Sequence, residues 1–383
     1  MDTAQPAAIS LRPPREKVAI KPISIRNTVA ICILLTMLVR LALIGLTALL
    51  DIVPAFGSIN APFKLLNSLT YLVALPAGIA IFLYDRTRGG ALIETVTALF
   101  RKRVGTIGFV IVTTLVLAGD FAPQIATHDP ILSMIGQPGE VGRLPGKAPC
   151  TAAFGCVEPQ HYLGLDLNAR DMFSRIIYGA RTSIPIGIAS VAFAITIGTL
   201  LGLLAGYIGG WFDNLIMRFM DVLLAFPSLL LAITIVTIQG PGLSNALLAI
   251  AIVSIPVYAR LSRASVLSVK ELEYITAERA LGAAPRTIVF QQILPNILTP
   301  LIVQGTLGIG GAVLDAAALS FLGLGAQPPT PEWGQMLSEA RNYVFTAPHL
   351  VFFPGFAIML TVLGFNLLGD GLRDALDPRL NRN

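Results

Sequence analysis

Runs of about 20 consecutive apolar residues recur along this chain, each long enough to cross a hydrocarbon core about 30 Å thick. They fall at about 28–50, 69–84, 104–121, 184–208, 216–238, 244–264, 297–321 and 350–368. Inside lipid, backbone polar groups must be satisfied within a helix or a closed barrel. Barrel strands alternate apolar and polar residues, and these runs are continuous, so a barrel is excluded. The expected fold is all-α, a polytopic membrane protein of about eight transmembrane helices. Only 13% of the 383 residues are charged, against about 25% in a soluble domain.

The net charge of +5 bears on topology rather than on nucleic acid, because positive residues collect on cytoplasmic loops. Residues 1–27 carry Arg12, Arg15, Lys17, Lys21 and Arg26 against Asp2 and Glu16, as a cytoplasmic tail would. The run after it is too long for a signal-peptide core. It reads as a retained span whose Arg40 must snorkel or find an acid. Residues 85–104 hold Arg86, Arg88, Arg101, Lys102 and Arg103 and read as cytoplasmic. The long segment 122–180 balances its bases with acids and belongs outside. Counting spans places 262–295, with Arg263, Lys270, Arg279 and Arg286, in the cytoplasm together with both termini. The chain's surroundings are membrane lipid.

Within that inner loop, 274–295 reads YITAERALGAAPRTIVFQQILP. Thr276 to Leu281 is a helix-forming run, Gly282 offers a turn, Pro285 restarts a helix, and apolar sequence resumes near Leu294 and Pro295. Two short helices about a Gly would make a knob facing water. An amphipathic loop helix resting on the bilayer is the plainer alternative. The stretch resembles the EAA motif of permease subunits of binding-protein-dependent ABC importers, with Gly282 and Leu294-Pro295 at the family spacing. Thr276 stands where that motif usually opens with Glu. Its acid has moved to Glu278, and Gln292 replaces the expected Ile. The segments 161–183 (HYLGLDLNARDMFSRIIYGARTS) and 319–379 look like the C-type subunit of the dipeptide and oligopeptide subfamily. The likeness covers about residues 100–380.

The resemblance implies the following organisation. A cytoplasmic tail (1–27) precedes an extra transmembrane pair with its cytoplasmic linker (28–100), for which the family offers no counterpart. The first core span and periplasmic loop (101–180) lead to a core, 181–371, containing the coupling loop 270–295, and a cytoplasmic tail, 372–383, ends the chain. Such a subunit pairs with a second homologous permease subunit, two cytoplasmic ATPase subunits and a periplasmic substrate-binding protein in the bacterial inner membrane. Thr276, Ala277, Glu278, Arg279, Ala280, Gly282, Pro285, Leu294 and Pro295 would form the ATPase-coupling loop, with Glu278 and Arg279 fixing its register on the ATPase. The chain would be no enzyme and hold no cofactor, ATP and Mg belonging to the ATPases. A phosphate-cradling G-x-x-x-x-G-K-[ST] loop is indeed missing, since the one Gly-Lys, Gly146-Lys147, is followed by Ala148. The cargo expected is a di- or oligopeptide. Nickel chelates, glutathione or another small solute are the alternatives within the class, and an ion-coupled secondary transporter is the alternative outside it.

Other residues remain to be placed. Asp221 is expected to pair locally with Arg218, and Asp315, deep in its span, is a candidate for lining the translocation path, with subunit packing as the competitor. Gly-rich spans at 187–210 and 305–313 predict close helix crossings. Phe226-Pro227-Ser228 and Ile255-Pro256-Val257 predict kinks. Cys150 and Cys156 share the outer loop and read as a disulfide before free thiols, with metal binding beside His161 third. Asp166, Arg170, Asp171 and Arg175 suit one charged face of a solvated helix. The outer loops, including 323–348, are candidate docking surfaces for a binding protein. His128, His161 and His349 look scattered, and no catalytic constellation stands out.

Overall fold

The structure is a computed structural model describing residues 91–133, 135, 145–149 and 161–376. The N-terminal spans expected at 28–50 and 69–84, and the Cys150–Cys156 pair, lie outside the described residues. What is described is helical: α1 (Ala91–Arg101), α2 (Arg103–Asp120), α3 (Ala122–Ile125), α4 (Met172–Ile208), α5 (Gly210–Leu224), α6 (Ser228–Gln239) and α7 (Leu243–Lys270). Then come α8 (Glu273–Ala280), α9 (Pro285–Thr287), a π-helical turn (Ile288–Ile293), α10 (Leu294–Phe321), α11 (Trp333–Ala340), a 3-10 turn (Arg341–Tyr343) and α12 (His349–Leu376). Between α3 and α4, Leu165 and Asp171 form an isolated antiparallel bridge.

Among the described residues five helices are long and apolar enough to cross a membrane, or six if the bent pair α5–α6 is one span. The run at 216–238 was expected as a single kinked helix. Instead α5 and α6 meet at 89°. Pro227 causes the break: it has no N–H to continue the ladder and disfavours helix in Phe226 before it. Pro256, by contrast, sits inside α7, which runs on through it. Helix α4 has 37 residues and begins twelve positions before the apolar run at 184, so its first turns extend past the expected span.

Helices α4 and α7 make the most extensive pairing, followed by α2 with α12 and α10 with α12. Small residues allow it. Gly198, Gly202 and Gly206 fall on one stripe of α4. A Cβ on Gly198 would lie 2.8 Å from the Ile255 carbonyl oxygen, and one on Gly206 2.9 Å from Val266 Cβ. At Gly202 it would collide with the Ala259 carbonyl. With no hydrophobic drive between helices in lipid, such close backbone approach supplies the packing. One buried cluster runs through α4, α7 and α10 and takes in Ile275, Ile288, Ile293 and Ile297 at the end next to α8. A second lies towards the opposite end around Met172, Trp333, Met336 and Leu350.

Candidate functional site

The loop between α7 and α10 is built as a short helix, a tight turn and the root of the next span. Helix α8 ends in a Schellman turn: Gly282 takes φ 81°, Ala283 N–H donates to Glu278 O at 3.0 Å and Gly282 N–H to Arg279 O at 3.0 Å. Only Gly adopts that left-handed conformation without a Cβ penalty, which is why Gly282 stands there. Pro285 then opens α9 at a position where its missing N–H removes nothing.

The second half differs from the sequence expectation. No separate second helix forms, because Pro285–Phe321 is one 37-residue helical span. Leu294 and Pro295 sit at the start of α10 and do not interrupt it. Pro295 lacks the N–H that the carbonyl four residues earlier would accept. The widened π turn just before it lets the helix continue.

Three contacts fasten α8 to this helix. Ile275, wholly buried, packs into the cluster that holds Ile288, Ile293 and Ile297. Each such side chain removed from water contributes about 1.5–3 kcal/mol. Gln292 Nε2 donates to Glu278 Oε1 at 2.7 Å, and Asn296 Nδ2 donates to the Tyr274 hydroxyl at 3.1 Å. Glu278 is therefore turned towards its own chain, its Oε2 buried and without a hydrogen-bond partner. Thr276, Ala277, Arg279, Ala280, Gly282 and Pro285 are exposed. So is Leu281, at 86%, an apolar residue that sequence reasoning passed over.

Behind the knob, charges bind α5 to α7. Arg263 grips Asp213 with two hydrogen bonds of 2.5 Å. Asp221 pairs with Arg260 at 2.6 Å, one helix away, and not with Arg218 on its own helix as the i, i−3 spacing predicted. Lys270 Nζ reaches the Gly206 carbonyl at 3.0 Å and so caps the end of α4. Asp315 is half-buried on α10.

At the opposite end of the bundle, around the start of α4, the charged residues do not line a solvated helix face. Arg175 and Asp171 are wholly buried, Arg170 and Asp166 nearly so. Asp166 Oδ2 accepts from Arg170 Nε at 2.6 Å and lies 3.3 Å from Arg175 Nε. Glu339 of α11 accepts from Arg170 Nη2 at 2.8 Å. Asp171 caps α4, its Oδ2 accepting from Ser174 N at 2.8 Å and Ser174 Oγ at 2.7 Å, while Oδ1 lies 2.7 Å from His161 Nδ1. Burial alone would raise the Asp171 pKa. The hydrogen bonds from His161 and Ser174 outweigh it and hold the carboxyl below its ordinary range.

The loop 323–348 folds back onto this network. Trp333 is wholly buried and donates through Nε1 to Ile176 O at 3.0 Å. Glu332, also buried, caps α11 and accepts from Ser183 Oγ at 3.0 Å. What it leaves outside is the stretch around Tyr343, Val344 and Phe345, the last 98% exposed.

Comparison with known proteins follows this division of the molecule. Residues 198–382 match the model of the "Binding-protein-dependent transport system inner membrane component" family. The chain is 49% identical over 287 residues, 75% of this chain and 90% of the other, to a dipeptide transport system permease protein of Alkalihalophilus pseudofirmus. It is 56% identical over 220 residues, 57% of this chain and 73% of the other, to a glutathione transport system permease protein of Pectobacterium atrosepticum. Against a di/tripeptide transport system permease protein of Pseudomonas aeruginosa it is 56% identical over 218 residues, 57% of this chain and 72% of the other. The chain belongs to the family of binding-protein-dependent transport system inner membrane components, as a multi-pass permease subunit.

Proposed function

We propose that this chain is the permease subunit of an ABC importer carrying di- or oligopeptides across the inner membrane, with both termini in the cytoplasm. The observation that carries the cargo is its 49% identity across 90% of a dipeptide permease. In this reading a second, homologous permease subunit completes the path, and a periplasmic binding protein delivers the peptide. Two partner ATPases bind ATP and Mg and supply the energy. The knob is where that energy enters. Arg279, Ala280 and Leu281 form its outward surface, seated in a groove of the ATPase, while Glu278, Gln292 and Ile275 brace it from behind. Small side chains at Ala277, Ala280 and Gly282 let the two backbones approach closely. Asp315, half-buried on α10, lines the translocation path in this reading, with packing against the partner subunit as the competing role.

A second reading, glutathione as cargo, is supported by 56% identity to a glutathione permease. The test is uptake by proteoliposomes holding the assembled complex, with binding protein outside and ATP inside. Labelled dipeptides should enter in a vanadate-sensitive manner, and excess glutathione should leave that uptake intact. Glutathione uptake without dipeptide uptake would replace the first cargo by the second. Uptake by this chain alone on an ion gradient would overturn the whole reading.

A further inference from the structure

Polar side chains inside the spans fall into two groups. Hydroxyls such as those of Thr234, Thr237 and Thr306 donate to the carbonyl four residues back on their own helix. Ser190 and Ser262 cross between α4 and α7 to the carbonyls of Leu247 and Thr199. The second group has no such bonds. Among the described residues, none donates to or accepts from the side chains of Tyr258, Gln304, Asp315 and Asn366.

These four meet on one side of α10. At about 100° per residue, Gln304, Gly308, Gly311 and Asp315 fall within about 60° of one another, along about 16 Å of helix. Helix α4 closes another side, where a Cβ on Gly305 would collide with Ile195. On the strip itself Gly311 is exposed, and a Cβ there would meet nothing within 4 Å. From α7, the Tyr258 hydroxyl fills the place that a side chain at Gly308 would need. From α12, the exposed Asn366 holds its Oδ1 3.6 Å from where a Cβ on Gly310 would stand. The strip is thus the part of α10 that α4 leaves uncovered, bordered by α7 and α12.

A hydrogen-bonding group without a partner is costly in hydrocarbon, and an acid there faces the bundle interior or water. A single such group carries little; four along one strip mark a surface that meets something polar. A second subunit closing over it dry would have to match each group in turn, whereas water and a passing polar cargo satisfy all of them.

Given the importer reading above, we propose that Tyr258, Gln304 and Asn366 join Asp315 in lining the translocation path along the middle of α10, and that this strip holds the cargo as an extended peptide. The two amides and the hydroxyl offer donors and acceptors together, as a peptide backbone requires. Asp315 takes cationic groups, the amino terminus among them. Arg260 lies two residues from Tyr258, about 200° around α7, and pairs with Asp221 instead. An extended chain advances about 3.3–3.6 Å per residue, so the strip accommodates about four or five residues.

The test uses the full-length chain with Cys32, Cys150 and Cys156 changed to Ser, assembled with its partners in proteoliposomes. Gly311→Cys should react with a charged, water-soluble thiosulfonate at least about tenfold faster than Val110→Cys, because only a hydrated thiol ionises. Val110, on α2, is 54% exposed and serves as the lipid-facing reference. Gln304→Leu and Asn366→Leu should slow ATP-driven uptake several-fold while detergent melting holds or rises, since each removes an unpartnered polar group from the bilayer. Asp315→Asn should lower the uptake ratio of lysine-bearing to glutamate-bearing dipeptides several-fold, with the same binding protein throughout. A parent complex without ATP-driven uptake refutes the importer reading itself. With uptake intact, a Gly311→Cys thiol as inert as the reference, Leu variants that transport like the parent, or an unchanged ratio in Asp315→Asn overturns the strip. Melting that falls in both Leu variants assigns the amides to packing and overturns their place in the path.

Discussion

Gln292 Nε2 donates to Glu278 Oε1 at 2.7 Å, joining the two positions at which this chain departs most visibly from the motif it resembles. An Ile at 292 would give a half-buried carboxylate at 278 nothing to accept from, and an Ala at 278 would leave the amide idle. Each departure accounts for the other.

Replacing Gln292 with Ile should therefore loosen α8. A hydrogen bond to a charged group contributes about 1.5–3 kcal/mol, which corresponds to about ten- to hundredfold faster amide exchange across 273–281 if opening there is local. Adding Glu278→Ala to Gln292→Ile should restore part of the protection. Unchanged exchange in the single variant would mean that the bond braces nothing.

The outward residues should behave in the opposite way. Arg279→Ala and Leu281→Ser remove exposed side chains, so melting should stay within about 0.5 kcal/mol of the parent. Transport should fall several-fold all the same, and a Cys at position 280 should crosslink to the ATPase in the assembled complex. A clean crosslinking failure there removes the coupling assignment.

Close packing of α4 on α7 gives a steric prediction. Gly202→Ala inserts a Cβ against Ala259 and Ser262 backbone and side-chain atoms, an overpacking that costs about 1–3 kcal/mol. Gly311→Ala on α10 meets nothing within 4 Å and should be neutral. Detergent melts of the two variants side by side provide the measurement.

Acid should open the start of α4. The folded carboxyl of Asp171 titrates below its ordinary value of 3.8. Its stabilising effect is thus complete above that value and is lost as pH falls through the lower, folded one. Amide protection at the start of α4 should persist at pH 5 and collapse only below about pH 4. Asp171→Asn should lose it already at neutral pH. Loss of protection at pH 5 in the parent would show that another group controls this end.

The apolar runs made the spans legible: the run at 104–121 became Arg103–Asp120, and those at 244–264, 297–321 and 350–368 lie inside α7, α10 and α12. The turn at Gly282 and the helix restart at Pro285 were legible too, because both act through local backbone rules, whereas the expected separate second helix merged into the long span. Partners distant in sequence were not legible. Glu339 completes the Asp166–Arg170 pair from 169 residues away, so i, i+4 spacing alone suggested a wet helix face. Arg260 claims Asp221 from 39 residues away for the same reason. His128 and His161 looked scattered because 33 positions separate their numbers while their ring centroids lie 4.8 Å apart.

The helical span from Pro285 to Phe321, widened once by the π turn at Ile288–Ile293, joins the root of the knob to the far end of the bundle. Its 37 residues span about 55 Å at 1.5 Å per residue. Each degree by which the cytoplasmic end is swung about its foot carries the far end sideways by about 1 Å. A few degrees imposed at Arg279 and Leu281 would thus move the far end of the span by the width of an atom or more, with Glu278 and Gln292 keeping the handle from turning loose on its shaft.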